Sequence, residues 1–118
     1  MGKIKEAMAI GTTTHNILAS GTQIKGDISA EEDFRVDGSI EGNIVCKGKI
    51  IVGTSSTITG EIRCVNIELL GQVNGNIFCS ESVILRAPSF LNGDIKTKII
   101  EIEPGAKFEG SCSMYINE

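Results

Sequence analysis

A chain of 118 residues favours a single domain, and with aromatic residues at 4% and no Trp its core has to be aliphatic. A formal net charge of −4 provides no basic field for a nucleic-acid backbone, and no apolar run reaches the ~18 residues that span a bilayer. With 14 Gly, 2 Pro and many β-branched aliphatics, the composition points to short strands joined by tight turns, an all-β protein.

Residues 1–16 read as a flexible N-terminal tail. Met1, Ile4 and Met8 fall at roughly helical spacing beside Lys3 and Lys5, a pattern for weak contact with an anionic membrane surface. The Met1-Gly2 start lacks the Ser or Thr that myristoylation requires, since Glu6 occupies that place, and the segment has no secretory apolar stretch. The expectation is a cytoplasmic protein. His15, the one histidine, lies outside the repeat and reads as a solvated tail residue with no acid–base partner.

From residue 17 onward one unit recurs, apolar-x-Gly-x-apolar. It occurs as Ile24-Lys-Gly26-Asp-Ile28, Ile40-Glu-Gly42-Asn-Ile44, Ile58-Thr-Gly60-Glu-Ile62, Val73-Asn-Gly75-Asn-Ile77, Leu91-Asn-Gly93-Asp-Ile95 and Phe108-Glu-Gly110-Ser-Cys112. The Gly-to-Gly steps are 16, 18, 15, 18 and 17 residues. Such a period is too short for helical or leucine-rich repeats and suits one coil of three short strands. Midway through each coil lies a second stretch: Phe34-Arg-Val36, Ile50-Ile-Val52, Ile67-Glu-Leu69, Val83-Ile-Leu85 and Ile100-Glu-Ile102. A third begins after Gly38, Gly53, Gly71 or Gly105.

One coil cannot bury its own apolar side, so the coils must stack, placing equivalent residues in columns ~4.8 Å apart. Six coils make a rod roughly 28 Å long. Alternation sends Ile28, Ile44, Ile62, Ile77, Ile95 and Cys112 inward, with Ala30, Cys46, Cys64, Cys79, Thr97 and Met114 beside them. The recurring Gly is expected at a bend where a side chain would crowd a neighbouring coil. Residues 17–115 form this domain, and residues 116–118 a short C-terminal tail.

Few motifs suggest chemistry. Cys46, Cys64 and Cys79 recur at one coil position without any Cys-x-x-Cys pair, which predicts a buried core ladder of reduced thiols. Gly42 to Gly48-Lys49 resembles a phosphate loop, but five residues separate the glycines instead of four, and Ile50 replaces the Ser or Thr that holds magnesium. Asp27, Glu61 and Asp94 beside the corner Gly alternate with Asn43 and Asn76, which favours a solubilising column over a Ca²⁺ site. No nucleotide, cofactor, metal or nucleic-acid partner is expected. Val45 and Phe78 point outward by parity, flanking Arg63, as candidates for lateral contact.

The ends carry the main expectation. Each terminal coil leaves a row of unpaired backbone groups, and nothing after Gly110 is suited to a covering helix. Phe108, Met114, Tyr115 and Ile116 at one end, with Ile17 and Leu18 at the other, are candidate contacts for coil-on-coil docking of a second copy.

Several of these residues resemble a known family. The run from Gly21-Thr-Gln-Ile-Lys-Gly-Asp-Ile28 to Phe34-Arg-Val-Asp-Gly-Ser-Ile-Glu-Gly-Asn-Ile44 is similar to the opening of the bactofilins. Leu91-Asn-Gly-Asp-Ile95 and Ile102-Glu-Pro-Gly-Ala-Lys-Phe-Glu-Gly110 are similar to their closing coils. The resemblance implies a right-handed, triangular parallel β-helix that polymerises without nucleotide into cytoskeletal filaments. It also implies a role in cell shape, often beside cell-wall enzymes at the inner face of the cell membrane. Long Pro-rich tails that recruit partners are not part of this sequence. An acyltransferase of the hexapeptide-repeat kind would need regular coils of 18, which the uneven steps disfavour. A non-polymerising adaptor that binds a cell-wall enzyme or peptide on one face is the alternative.

Overall fold

A computed structural model describes residues 15–115 as sixteen strands, with no helix among them. All pairings between them are parallel. The chain winds as a β-solenoid of six coils, each visiting three faces in the same order. The first face stacks β1 (His15–Leu18), β4 (Asp33–Val36), β7 (Lys49–Val52), the later parts of β9 (Ile62–Leu69) and β11 (Ile77–Leu85), and β14 (Ile99–Ile102). The second stacks β2 (Gln23–Lys25), β5 (Ser39–Glu41), β8 (Thr57–Thr59), β10 (Gln72–Asn74), β12 (Phe90–Asn92) and β15 (Lys107–Glu109). The third stacks β3 (Ile28–Ala30), β6 (Ile44–Cys46), the opening parts of β9 and β11, β13 (Ile95–Thr97) and β16 (Cys112–Met114).

The expected columns are real registers. Ile28, Ile44, Ile62, Ile77, Ile95 and Cys112 pair in succession, and Ile44 to Ile95 are buried. Ile40, Ile58, Val73 and Leu91 fill the second face, while Val36, Val52, Leu69 and Leu85 fill the first. Each inner side chain meets its counterpart one strand spacing above and below, which is how an aliphatic core without Trp reaches interior density.

The uneven Gly steps originate at two corners. Between first and second faces the link is two residues in the coils holding β4 and β9's later part, and four in the others. The four-residue links are turns closed by Thr22 N–H donating to Ala19 O, Ser56 to Gly53, Ser89 to Arg86 and Ala106 to Glu103. Between third and first faces the link is one residue after Cys64 and Thr97 and two elsewhere. Strand lengths stay constant, so corners absorb every insertion and the core register survives.

The third corner carries the repeated Gly. Gly42, Gly60, Gly75, Gly93 and Gly110 all have φ between 142° and 152°, and a Cβ on any of them would lie within about 2.0 Å of the preceding Gly's carbonyl oxygen. The column just after the Gly is more than solubilising. Asp27 Oδ1 accepts the Asn43 N–H at 3.0 Å, Asn43 Oδ1 that of Glu61, Asn76 Oδ1 that of Asp94, and Asp94 Oδ1 that of Ser111. These side chains tie successive coils at this corner, between backbone bonds such as Gly26 N–H to Glu41 O and Ile28 N–H to Asn43 O.

His15 departs from the sequence expectation. Its backbone pairs in register with Asp33, so it belongs to the first strand and not to a tail outside the repeat.

Candidate functional site

The features most suited to a function are the two ends of the rod. At the C-terminal end β14, β15 and β16 pair on one side only, with β11, β12 and β13. Among the described residues, their other edges present backbone donors and acceptors with no strand opposite. The inner columns also run out here. Ile102 and Met114 are 48% and 47% exposed, although both continue inward columns. Phe108 pairs with Leu91, half-buried against the core, and Cys112 beside it is exposed. Together these side chains make an apolar plate framed by open strand edges.

Tyr115 lies to one side of that plate. Its N–H donates to Thr97 O at 2.9 Å, and Lys96 Nζ sits 5.2 Å from the ring centre, against the outer surface of the preceding coil. At the N-terminal end β1, β2 and β3 each pair on one side only among the described residues, with β4, β5 and β6. Leu18 is buried next to Val36 in the inner column, whereas Ile17 is exposed on the outer side of β1. Ile24 and Ile28 are half-buried. Met1, Ile4, Met8 and Ile116 lie outside the described residues. Sequence reasoning missed Ile102: it reads as one more inward residue, and the signal available was that its stretch, Ile100-Glu-Ile102, is the last of its kind among the described residues.

Cys46, Cys64 and Cys79 are buried on the third face. Cys64 and Cys79 stand in register with their sulfurs 3.2 Å apart. Cys46 Sγ instead reaches Glu32 O at 3.3 Å and accepts the Gly48 N–H at 3.4 Å. The hydrogen bond with Cys79, together with burial, pushes the Cys64 thiol well above the ordinary range. Burial raises Cys46 likewise. Protonated thiols are poor nucleophiles and poor metal ligands. Among the described residues no group of three His, Cys, Asp or Glu side chains is arranged to hold a metal ion.

Along the sides, Arg63 stacks over the Phe78 ring at 4.5 Å beside exposed Val45. Glu68 ties coils together on the first face: Lys49 Nζ is 3.3 Å from its carboxylate and Arg86 donates to it, while Arg86 also donates to Glu103 at 2.6 Å. The Arg86 hydrogen bond holds the Glu68 carboxyl below the usual value. Among the described residues there is no helix long and apolar enough to cross a membrane.

Comparison with known proteins matches this geometry. A family model described as "Bactofilin: Polymer-forming cytoskeletal" matches residues 16–113. Bactofilin BacO of Myxococcus xanthus is 35% identical over 104 residues, covering 88% of this chain and 82% of that protein. A cryo-EM reconstruction of Thermus thermophilus bactofilin double helical filaments superposes with a TM-score of 0.81 at 26% identity, covering 85% of this chain and 99% of that one. The cytoskeletal bactofilin BacA, determined by solid-state NMR, superposes with a TM-score of 0.77 at 26% identity, covering 87% and 98%. The six-coil parallel solenoid, the glycine corner and the match over nearly its whole length place this chain in the bactofilin family of polymer-forming cytoskeletal proteins.

Proposed function

We propose that this chain assembles without nucleotide into filaments by end-to-end docking of its terminal coils. The filaments would act as a scaffold for cell shape or for cell-wall enzymes, in the cytoplasm at the inner face of the cell membrane. The observation that carries the reading is the C-terminal plate, where Ile102, Phe108 and Met114 end inner columns beside unpaired strand edges. A second copy set one strand spacing beyond would continue three sheets and three columns at once, converting exposed apolar surface into core.

Nucleotide independence draws support from the segment that resembles a phosphate loop. Ile44–Cys46 is strand β6 and Lys49–Val52 is strand β7, so their backbone groups are engaged in sheet pairing and not free to cradle phosphate. The side surface at Val45, Arg63 and Phe78 offers a place for a protein partner, the feature on which the adaptor reading rests.

Negative-stain electron microscopy of purified protein without nucleotide, beside a Phe108→Arg variant, tests the proposal. Filaments that vanish in a variant with an unchanged β circular dichroism spectrum would support docking through the last coil. Monodisperse wild-type monomers over a wide concentration and salt range would overturn polymerisation and favour the adaptor. Filaments that persist in the variant would move the interface away from Phe108.

A further inference from the structure

Two asparagines precede a corner glycine, Asn74 before Gly75 and Asn92 before Gly93. In an Asn-Gly pair the asparagine side chain closes readily on the main chain, because glycine leaves the attacking backbone nitrogen uncrowded. Asn16, Asn43, Asn66 and Asn76 each precede isoleucine, whose branched side chain shields that nitrogen. The glycines themselves are fixed by the fold. A Cβ on Gly75 or Gly93 would run into the carbonyl oxygen of the glycine one coil earlier.

In the folded chain both nitrogens are occupied. Gly75 N–H donates to Asn92 O and Gly93 N–H to Glu109 O, each at 2.9 Å. The strands that supply the acceptors differ. Asn92 lies in β12, which is paired on both sides, with β10 and β15. Glu109 lies in β15, which among the described residues pairs with β12 alone. Its coil also holds the exposed Ile102, Cys112 and Met114, so little apolar burial fastens it. Asn92 is exposed, whereas Asn74 is half-buried.

We propose that Asn92 is a site of spontaneous deamidation whose access is controlled by the sixth coil. When β15 lifts from β12, the Gly93 nitrogen loses its acceptor and the extended chain at Asn92 is free to turn. The nitrogen gives up its proton to hydroxide and attacks the Asn92 side-chain carbonyl carbon. A Cγ–N bond forms, the bond from Cγ to Nδ2 breaks, and Nδ2 takes a proton from water and leaves as ammonia. Water then opens the five-membered imide at either carbonyl, giving aspartate or isoaspartate. The net change is one water consumed and one ammonia released.

Isoaspartate routes the main chain through the side-chain carbon, adding one methylene directly before the glycine corner. Gly110 packs so closely on Gly93 that even a Cβ there would collide with the Gly93 carbonyl oxygen. A lengthened chain at that point sets Gly93 out of register with Gly110, and the sixth coil no longer stacks on the fifth. Opening thus permits the modification, and its product keeps the coil open. One consequence rests on the end-docking reading above: a converted subunit loses its terminal plate and cannot extend a filament from that end.

Peptide mapping by mass spectrometry tests the site, following Asn74 and Asn92 in an Ile102→Arg chain incubated at mildly alkaline pH. The added charge on the exposed plate blocks end docking and leaves the buried columns alone, so the result stands whether or not ends dock. Asn92 should convert several-fold faster than Asn74 in the folded chain, and the two should convert at equal rates in urea. Phe108→Ala, which loosens the sixth coil, should speed Asn92 several-fold further and leave Asn74 unchanged. The isolated isoaspartyl product should have lost hydrogen-exchange protection in the sixth coil. Equal rates in the folded chain overturn the proposal. So does the same preference for Asn92 in urea, which would place its cause in the local sequence, or an Asn92 rate indifferent to Phe108→Ala. The comparison of folded chain with urea needs no change in the sixth coil's core, so it decides the matter even where Phe108→Ala fails to fold.

Discussion

In the fourth coil the inner residues Ile67, Leu69, Val73, Ile77 and Cys79 are sealed from solvent; in the sixth, Ile102, Cys112 and Met114 are exposed and Ile100 and Phe108 half-buried. The two coils share the same three faces and continue the same columns. They differ in having two neighbours or one. Burial in this fold is thus supplied by stacking, coil by coil, and a terminal coil holds apolar side chains whose second layer must come from elsewhere. That surplus separates a solenoid able to grow from one closed by a cap.

The largest expected effect sets the interior against the end directly. Ile77→Ala should cost about 3 kcal/mol in urea denaturation, because a fully enclosed site keeps the cavity. Ile102→Ala should cost less than about 1 kcal/mol in non-assembling conditions, since solvent fills the gap. Equal costs would mean that the last coil is covered even in the monomer, and the contrast between the coils would disappear.

Thiol reactivity should divide along the same line. Brief alkylation of the native chain, read by mass spectrometry, should modify exposed Cys112 and leave Cys46, Cys64 and Cys79 until the protein is unfolded. Protection of Cys112 in the assembled protein would sharpen the comparison, placing the sixth coil in the interior environment of the fourth. Early labelling of Cys64 or Cys79 would show that the middle coils open as readily as the end.

The smallest effect concerns the ion pairs that link coils along the first face. The Arg86 hydrogen bond lowers the Glu68 carboxyl from its ordinary value of 4.5, so its contribution is fully present above that pH and is lost as pH falls through the lowered value. Glu68→Gln should lower the melting temperature slightly at neutral pH and leave it unchanged in strong acid, measured by thermal melts across that range. A large neutral-pH loss would give these side-face ties a weight comparable with the core.

Much of this architecture was legible in the residues. Six glycines and the apolar positions around them were enough to place Ile44, Ile62, Ile77 and Ile95 in one column, because side chains in a strand alternate strictly and a slip of one residue would turn the whole set outward. The end plate was legible through Phe108 and Met114. Ile102 escaped notice, and Tyr115, though singled out, lies to the side of the plate against Lys96. His15 looked external because its partner Asp33 sits in the next coil and nothing local to it repeats.

The amino-acid order by itself determined the coil period, the inner and outer columns, and the family to which the chain is similar. Alternation and glycine spacing are local properties, readable within one coil. Only the tertiary structure decided where each insertion is absorbed, at corners of one or two residues and of two or four. It also decided that Asn43 and Asp94 bridge coils by accepting backbone N–H groups, and that Cys46 turns to Glu32 while Cys64 and Cys79 face each other. Those outcomes depend on what stands one coil away, 14 to 18 residues along the chain, and stacking is what brings those residues into contact.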